Sequence, residues 1–535
     1  MIPCMTSVLR QVTTTAPAAL AVALAAAVYL NALGNPFVFD DTTEVLENRS
    51  IQRPTEIAAL IRYTPTRPMV NLSYALDYAI WGLEPFGFHL TNLLLHLINV
   101  ALFFLLARGY AIDTGRGTLV PFTAAALFAV HPLLTEAVGY VSSRSELLSG
   151  AFILSSLCAF RAGLSRGGGR WLFVGVLAFA LAGASKETGA VLPFVLLAYD
   201  RWVLPDGGAW TPRQRFLRVH APLIALVMAA GAYRVWRYLA LEHPGTATID
   251  WNNALLNLHV LTLYLSLFVV PVSLSLVHDI KPVLSLFDWR VLGGAAVLGG
   301  LLWQAATWRR REPLITLGIF WFLLVLVPSA TLIVVGERGQ PIAEHRVYVA
   351  SCGLFLAAAA GWVRAVQDVP GRTRDRVRIG VPAVAILVFA MLTVARNRVW
   401  ADPVVLWEDA ARKAPTTFMA QYGVGESYRA VGDCEHAIPA YQRAITVRPS
   451  IEDGYLGLAE CLRLSEKTDD ARAVLRTALQ RAETTQYSRL TLASLEADRG
   501  NPAEAVRLCQ EVLASAPGEA NAIACIERNH AAQSR

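Results

Sequence analysis

The sequence predicts an all-α protein in two parts, a polytopic bundle of about eleven membrane-spanning helices and a short C-terminal helical solenoid. Composition, the spacing of apolar runs and a repeat in the tail carry that prediction. Of 535 residues, 55% are hydrophobic and 16% charged, and the mean hydropathy is +0.43; soluble domains carry about 25% charged residues. The charge deficit is uneven. Apolar runs fill the chain to about Arg396 and polar, amphipathic sequence follows, which divides it into a membrane domain at 1–399 and a soluble domain at 400–535.

A helix needs about 20 apolar residues to cross a bilayer. Candidate spans fall near 13–33, 88–107, 118–131, 147–163, 171–184 and 188–202, then 217–239, 291–308, 314–335, 347–366 and 379–395. The first resembles a signal peptide but is read as an uncleaved span, since many spans follow it. Segment 254–277 is apolar but interrupted by Asn257, His259, Pro271 and Ser273; a full crossing would put the last two arginine clusters outside, so it is placed at or dipping into the outer interface. With the N-terminus in the cytoplasm, the clusters at Arg108/Arg116, Arg161–Arg170, Arg201–Arg218, Arg309–Arg311 and Arg364–Arg378 then all fall inside, as the positive-inside rule requires. The net charge of +6 therefore reads as topology-setting, and no nucleic-acid partner is expected. Arginine usage with abundant Ala and Gly points to a GC-rich bacterial genome; the threading then gives a bacterial inner membrane with the site and the tail facing the periplasm, or the lumenal face of the ER membrane in a eukaryote. Seven cysteines show neither metal nor disulfide spacing, and no metal site or certain cofactor is expected.

In the tail, Pro415, Pro449 and Pro517 are separated by 34 and then 68 residues, and Ala437, Ala471 and Ala505 recur at 34. A 34-residue period with small residues where paired helices touch is the tetratricopeptide signature. It gives three repeats, at 416–449, 450–483 and 484–517, which suit a protein-contact platform.

Chemistry-bearing residues gather in the loops opposite the arginine clusters. The first outer loop, 34–87, opens with Asp40-Asp41, where adjacent carboxylates repel. One could be a general base, share a cation or simply cap a helix. His131-Pro132 breaks the third span, ahead of Glu136, Arg144 and Glu146. Lys186-Glu187 separates two close spans, and Glu344-His345-Arg346 with Tyr348 opens another, where arginine suits a lipid phosphate. His89 and His96 read as core histidines. Asn71-Leu72-Ser73 matches a glycosylation acceptor.

In order along the chain, Asn35-Pro36-Phe37-Val38-Phe39-Asp40-Asp41, Arg67-Pro68, Gly82-Leu83-Glu84-Pro85-Phe86-Gly87-Phe88-His89, Phe128-Ala129-Val130-His131-Pro132, Thr135-Glu136-Ala137-Val138, Arg144-Ser145-Glu146 and Ser185-Lys186-Glu187 resemble the transmembrane-and-tetratricopeptide-repeat O-mannosyltransferase family, within the GT-C class of membrane glycosyltransferases. The resemblance covers about four-fifths of the chain, tail included. It implies a GT-C-type bundle and an inverting transfer of a mannose-like sugar from a polyprenyl-phosphate lipid donor to Ser/Thr hydroxyls of a protein acceptor. It implies Asp40 or Asp41 as the catalytic residue, Arg346, Lys186 and Arg144 at the donor phosphate, and His131, Glu136, Glu187, Glu344, His345 and Tyr348 around the cavity. Leu134, Ser143 and the inserted His345 depart from the family pattern. Two alternatives stay open: a lipid or envelope-glycan acceptor, and a non-catalytic membrane scaffold built on the repeats.

Overall fold

The structure, a computed structural model, describes residues 2–205, 210–242, 248–329, 333–334 and 342–533. It divides into two compact units, one of Met1–Leu274 with Ile280–Ala401, the other of Ser275–Asp279 with Asp402–Arg535. Both are helical. Among the described residues the strand content is one two-residue pair, Thr248–Ile249 against Ile333–Val334.

In the first unit, eight described helices are long and apolar enough to cross a membrane, or nine if one bent pair counts as a span, and Gly169–Gly183 and Pro313–Leu326 are shorter apolar helices. Helix Leu192–Trp202, expected as part of a span, has 11 residues, too short to cross alone. Trp251–Val269, expected to be too interrupted, is a regular helix of 19 residues that qualifies by length and hydropathy. Asn257 is accommodated because its amide donates to the Asn253 carbonyl, and Pro271 lies beyond the helix end. The last part of the span expected at 314–335 lies outside the described residues.

Helix Pro85–Asp113 shows how the unit meets lipid. Its Leu94, Ile98, Leu105 and Ile112 are exposed, while Leu93, Val100, Phe103 and Ala107 are buried. Four- and seven-residue spacings put the exposed set on one face, and apolar groups on that face are at home among acyl chains rather than in water. Ile379, Val384, Leu387 and Met391 repeat the pattern on helix Gly371–Val399.

Close packing inside the bundle uses small residues, as bilayer helix pairs do. Gly318 of helix Pro313–Leu326 and Gly353 of helix Tyr348–Ala365 face each other, and a Cβ on either would collide with the other's carbonyl oxygen. The proline break predicted at His131-Pro132 is present. Helices Leu119–Val130 and Pro132–Gly139 meet at 55°, and the His131 ring caps the second by accepting from the Leu133 N–H.

Two polar clusters mark opposite ends of this unit. Helix Pro85–Asp113 begins with Phe88 and Asn92, which hold Arg144, and finishes at Asp113, which takes Arg161 at 2.7 Å and the Tyr199 hydroxyl at 2.8 Å. At 1.5 Å per residue these ends lie about 40 Å apart. Helix Arg144–Arg166 links the same two clusters, with Arg144 at its start and Arg161 near its finish. Glu312, following the Arg309–Arg311 cluster, pairs with Arg116 and Arg364, so arginine-rich loops far apart in sequence converge.

The second unit opens with helix Pro403–Lys413, capped by Asp402. Three helical pairs follow: Phe418–Ala430 with Cys434–Val447, Glu452–Leu464 with Thr468–Arg481, and Gln486–Asp498 with Pro502–Ser515; helix Ala520–Gln533 ends the stack. Ala437, Ala471 and Ala505, the residues that set the 34-residue period, are all fully buried. Gly425 and Gly457 lie flat against the Tyr441 ring, with no room for a Cβ. One expectation is corrected here: Cys509 and Cys525 form a disulfide. Their separation of 16 residues carries no familiar spacing, but consecutive antiparallel helices bring the two side chains together.

Candidate active site

The first outer loop turns back on itself at Val38–Asp41. The Asp41 N–H donates to the Val38 carbonyl, and the Val38 N–H returns a 3.0 Å bond to the Asp41 carboxylate. Phe39 sits in the left-handed region at φ 52, a conformation that costs a non-glycine residue about 1–2 kcal/mol. Its ring stacks on Tyr140, and the Asp40 N–H donates to the Tyr140 hydroxyl at 3.0 Å. The second Asp41 oxygen accepts from the Ser142 N–H at 2.8 Å and the Ser142 hydroxyl at 2.5 Å. Asp41 is fully buried, and its role in this geometry is to hold a strained turn that presents Asp40 outward.

Asp40 faces a cavity of about 150 Å³. One turn on, Glu44 joins it, fixed because the Asn48 amide donates to the Glu44 carbonyl and to Asn71. Facing these carboxylates are Arg67, Lys186 and His345, and each basic group is anchored to its own carboxylate. Arg67 reaches both oxygens of Glu187 at 3.1 Å. The Lys186 ammonium lies 2.6 Å from Glu146, and His345 Nδ1 lies 2.6 Å from Glu136. The other Glu136 oxygen accepts from the Glu344 N–H. Tyr74, Tyr140 and Ser142 complete much of the wall.

Burial dominates the electrostatics of the loop. It pushes the Asp41 carboxyl up to about 7, against hydrogen bonds from Ser142 and Val38 that favour the charged form. Asp40 is raised by burial, with Tyr140 and His345 opposing. Glu44 is raised by burial and by Asp40, with Arg67 opposing. Burial would raise Glu187 too, but Arg67 and Lys186 outweigh it and hold that carboxyl below its ordinary value.

Of the residues singled out in the sequence, Asp40, Lys186 and His345 line the cavity. Asp41 and Glu136 stand directly behind, bonded to residues of the wall. Glu187 is exposed and reaches the cavity through Arg67. Arg346 is half-buried beside His345 on the short helix Glu344–Val347, and Glu344 is buried there.

Arg144 was expected at a donor phosphate. It is instead fully buried, 2.5 Å from Asp77, bonded to Asn92 and Phe88 and stacked on the Tyr74 ring. His131, expected in the wall, is enclosed by Phe268, Phe355 and Phe389, and its Nε2 meets the Phe268 carbonyl at 2.9 Å. Tyr348 is buried against His96 and Asn99, which also accounts for His96 as a core histidine. The acceptor match at Asn71 is buried, its amide donating to Ser50 and the Leu60 carbonyl, so it is closed to modification in the fold. Arg67 and Tyr140 were not chosen from the sequence, although Arg67-Pro68 lies within a matched block.

Among the described residues, no group of three or more His, Cys, Asp or Glu side chains converges as a metal site. The tetratricopeptide repeat family matches residues 422–488 and 465–520. Protein O-mannosyl-transferase F38B6.6 of Caenorhabditis elegans is 23% identical over 79% of this chain and 61% of its own length. Protein O-mannosyl-transferase TMTC4 of Homo sapiens is 25% identical over 76% and 63%. Over most of its length, this chain is similar to protein O-mannosyl-transferases. Identity is higher in a shorter stretch, 37% with protein O-mannosyl-transferase Tmtc1 of Drosophila melanogaster over 31% of this chain and 20% of that protein. The chain spans about three-fifths of the length of the first two relatives. Among solved structures, a thermophilic TPR protein of Thermus thermophilus matches 33% of the chain at 20% identity with a TM-score of 0.21, too low to carry an argument.

Proposed function

We propose that this chain is an integral membrane glycosyltransferase that moves a mannose-like monosaccharide from a polyprenyl-phosphate donor to Ser/Thr hydroxyls of protein acceptors. One observation carries the reading: in a chain similar to protein O-mannosyl-transferases, a cavity sets the outward-facing Asp40 across from Arg67, Lys186 and His345.

The Asp40 carboxylate takes the proton of an acceptor hydroxyl as that oxygen attacks the anomeric carbon. The bond from that carbon to the phosphate oxygen breaks in the same step, with inversion, and the polyprenyl phosphate leaves as an anion. Arg67 and Lys186 stabilise the departing phosphate, with Arg346 adjacent, and their carboxylate partners keep them aimed. The polyprenyl tail lies against the lipid-facing helices, and the repeats dock the protein acceptor or a partner. Arg144 positions the wall through Tyr74 rather than touching the donor.

The reading places the cavity end and the repeat unit on the non-cytoplasmic side and the arginine-rich end in the cytoplasm. The test is reconstitution of the purified chain with labelled mannosyl-phosphoryl-polyprenol and Ser/Thr peptides. Label on the peptide supports the proposal; label that stays in lipid or glycan, with none on peptide, overturns it.

A further inference from the structure

Two cysteine pairs span neighbouring helices of the repeat unit. Cys509 and Cys525 join helix Pro502–Ser515 to helix Ala520–Gln533. Cys434 begins the second helix of the first pair, and Cys461 lies near the end of the first helix of the next pair. Their sulfurs are 2.7 Å apart, closer than two unbonded sulfurs sit, and both residues are buried. Nothing in the sugar-transfer chemistry uses them.

We propose that Cys434 and Cys461 form a second disulfide, so that bridges clip adjacent elements near both ends of the repeat stack. Repeat arrays are held by nearest-neighbour interfaces, and a cross-link at the first inter-repeat junction and another at the terminal helix oppose fraying where a stack is weakest. The bond forms by exchange with a dithiol oxidoreductase in its disulfide state. One cysteine thiolate attacks an oxidant sulfur, the second displaces that sulfur from the mixed disulfide, and the two protons given up by the cysteines are taken up by the oxidant, which leaves as a dithiol carrying both electrons. Once the repeats close, burial raises the Cys461 thiol above its ordinary value, and a protonated thiol is a poor nucleophile.

Structural disulfides persist in oxidising compartments. Two in one unit place the repeats away from the cytosol on grounds separate from arginine counting, and the inference does not rest on the transferase reading. The test uses the full-length chain in native membranes, acid-quenched, denatured, treated with a light maleimide, reduced and treated with a heavy one. Peptide mass spectrometry is expected to find Cys434, Cys461, Cys509 and Cys525 carrying heavy label, Cys158 and Cys352 carrying light label, and a Cys434–Cys461 cross-linked peptide in an unreduced digest. Light label on Cys434 and Cys461, with heavy label on the other tail pair, overturns the second bridge. Light label on all four overturns it and assigns the unit to a reducing compartment.

Discussion

Adjacent carboxylates at positions 40 and 41 receive opposite environments from one turn of backbone. Asp41 spends its oxygens on Val38 and Ser142, while Asp40 opens to the cavity. Asp40→Asn is therefore expected to fold and bind donor but lose about 10²–10⁴-fold in transfer rate, the usual worth of a general base. The base must be ionised and burial raises its pKa, so wild-type turnover should fall with decreasing pH at a higher pH than an ordinary carboxylate would set. A pH–rate profile measures this.

Asp41→Asn differs. An amide cannot accept from both sides, so the Val38 N–H loses its partner at a cost of about 1–3 kcal/mol. With Asp41 raised from 3.8 to about 7, the fold holds a proton through that window that the unfolded chain releases. The contribution of Asp41 to stability thus declines as pH rises from 3.8 to about 7, and thermal midpoints across that range should lose this slope in Asp41→Asn. The sequence made the Asp40-Asp41 pair conspicuous but not the division of labour, because that depends on Tyr140 and Ser142, a hundred residues away.

At the scale of elements, polar residues at helix ends were legible as a group and their direction was not. Ser142 faces the cavity while Arg144, two residues on, points into the protein, a change of heading that residue type alone does not encode. The repeat unit was more legible because its signal is periodic: Ala437, Ala471 and Ala505 mark helix contacts wherever the stack sits. Helix Trp251–Val269 runs unbroken where the sequence looked interrupted, because Asn257 satisfies its own amide within the helix. Arg144→Met leaves Asp77 buried without its cation and is expected to cost about 3–5 kcal/mol, with Arg144→Met/Asp77→Leu recovering much of the loss; thermal unfolding in detergent reads both. Gly353→Leu drives a side chain into the Gly318 carbonyl and should separate helices Pro313–Leu326 and Tyr348–Ala365, seen as lost expression of folded protein, while Gly361→Leu, where a Cβ would make only an ordinary 3.9 Å contact with Ile315 Cδ1, should be mild.

For the whole molecule, the first unit is polarised. Arginine-rich loops meet at Asp113 and Glu312, and the acidic and basic residues of the cavity gather some 40 Å away along helix Pro85–Asp113. The proposed transfer requires the cavity end to face away from the cytosol, and the charge distribution favours the same orientation. Single cysteines introduced at Glu47, exposed beside the cavity loop, and at Arg310, exposed in the arginine cluster, test this with a membrane-impermeant maleimide on intact cells or spheroplasts. The account predicts labelling at position 47 and none at 310 until the membrane is opened; labelling at 310 with protection at 47 would contradict it.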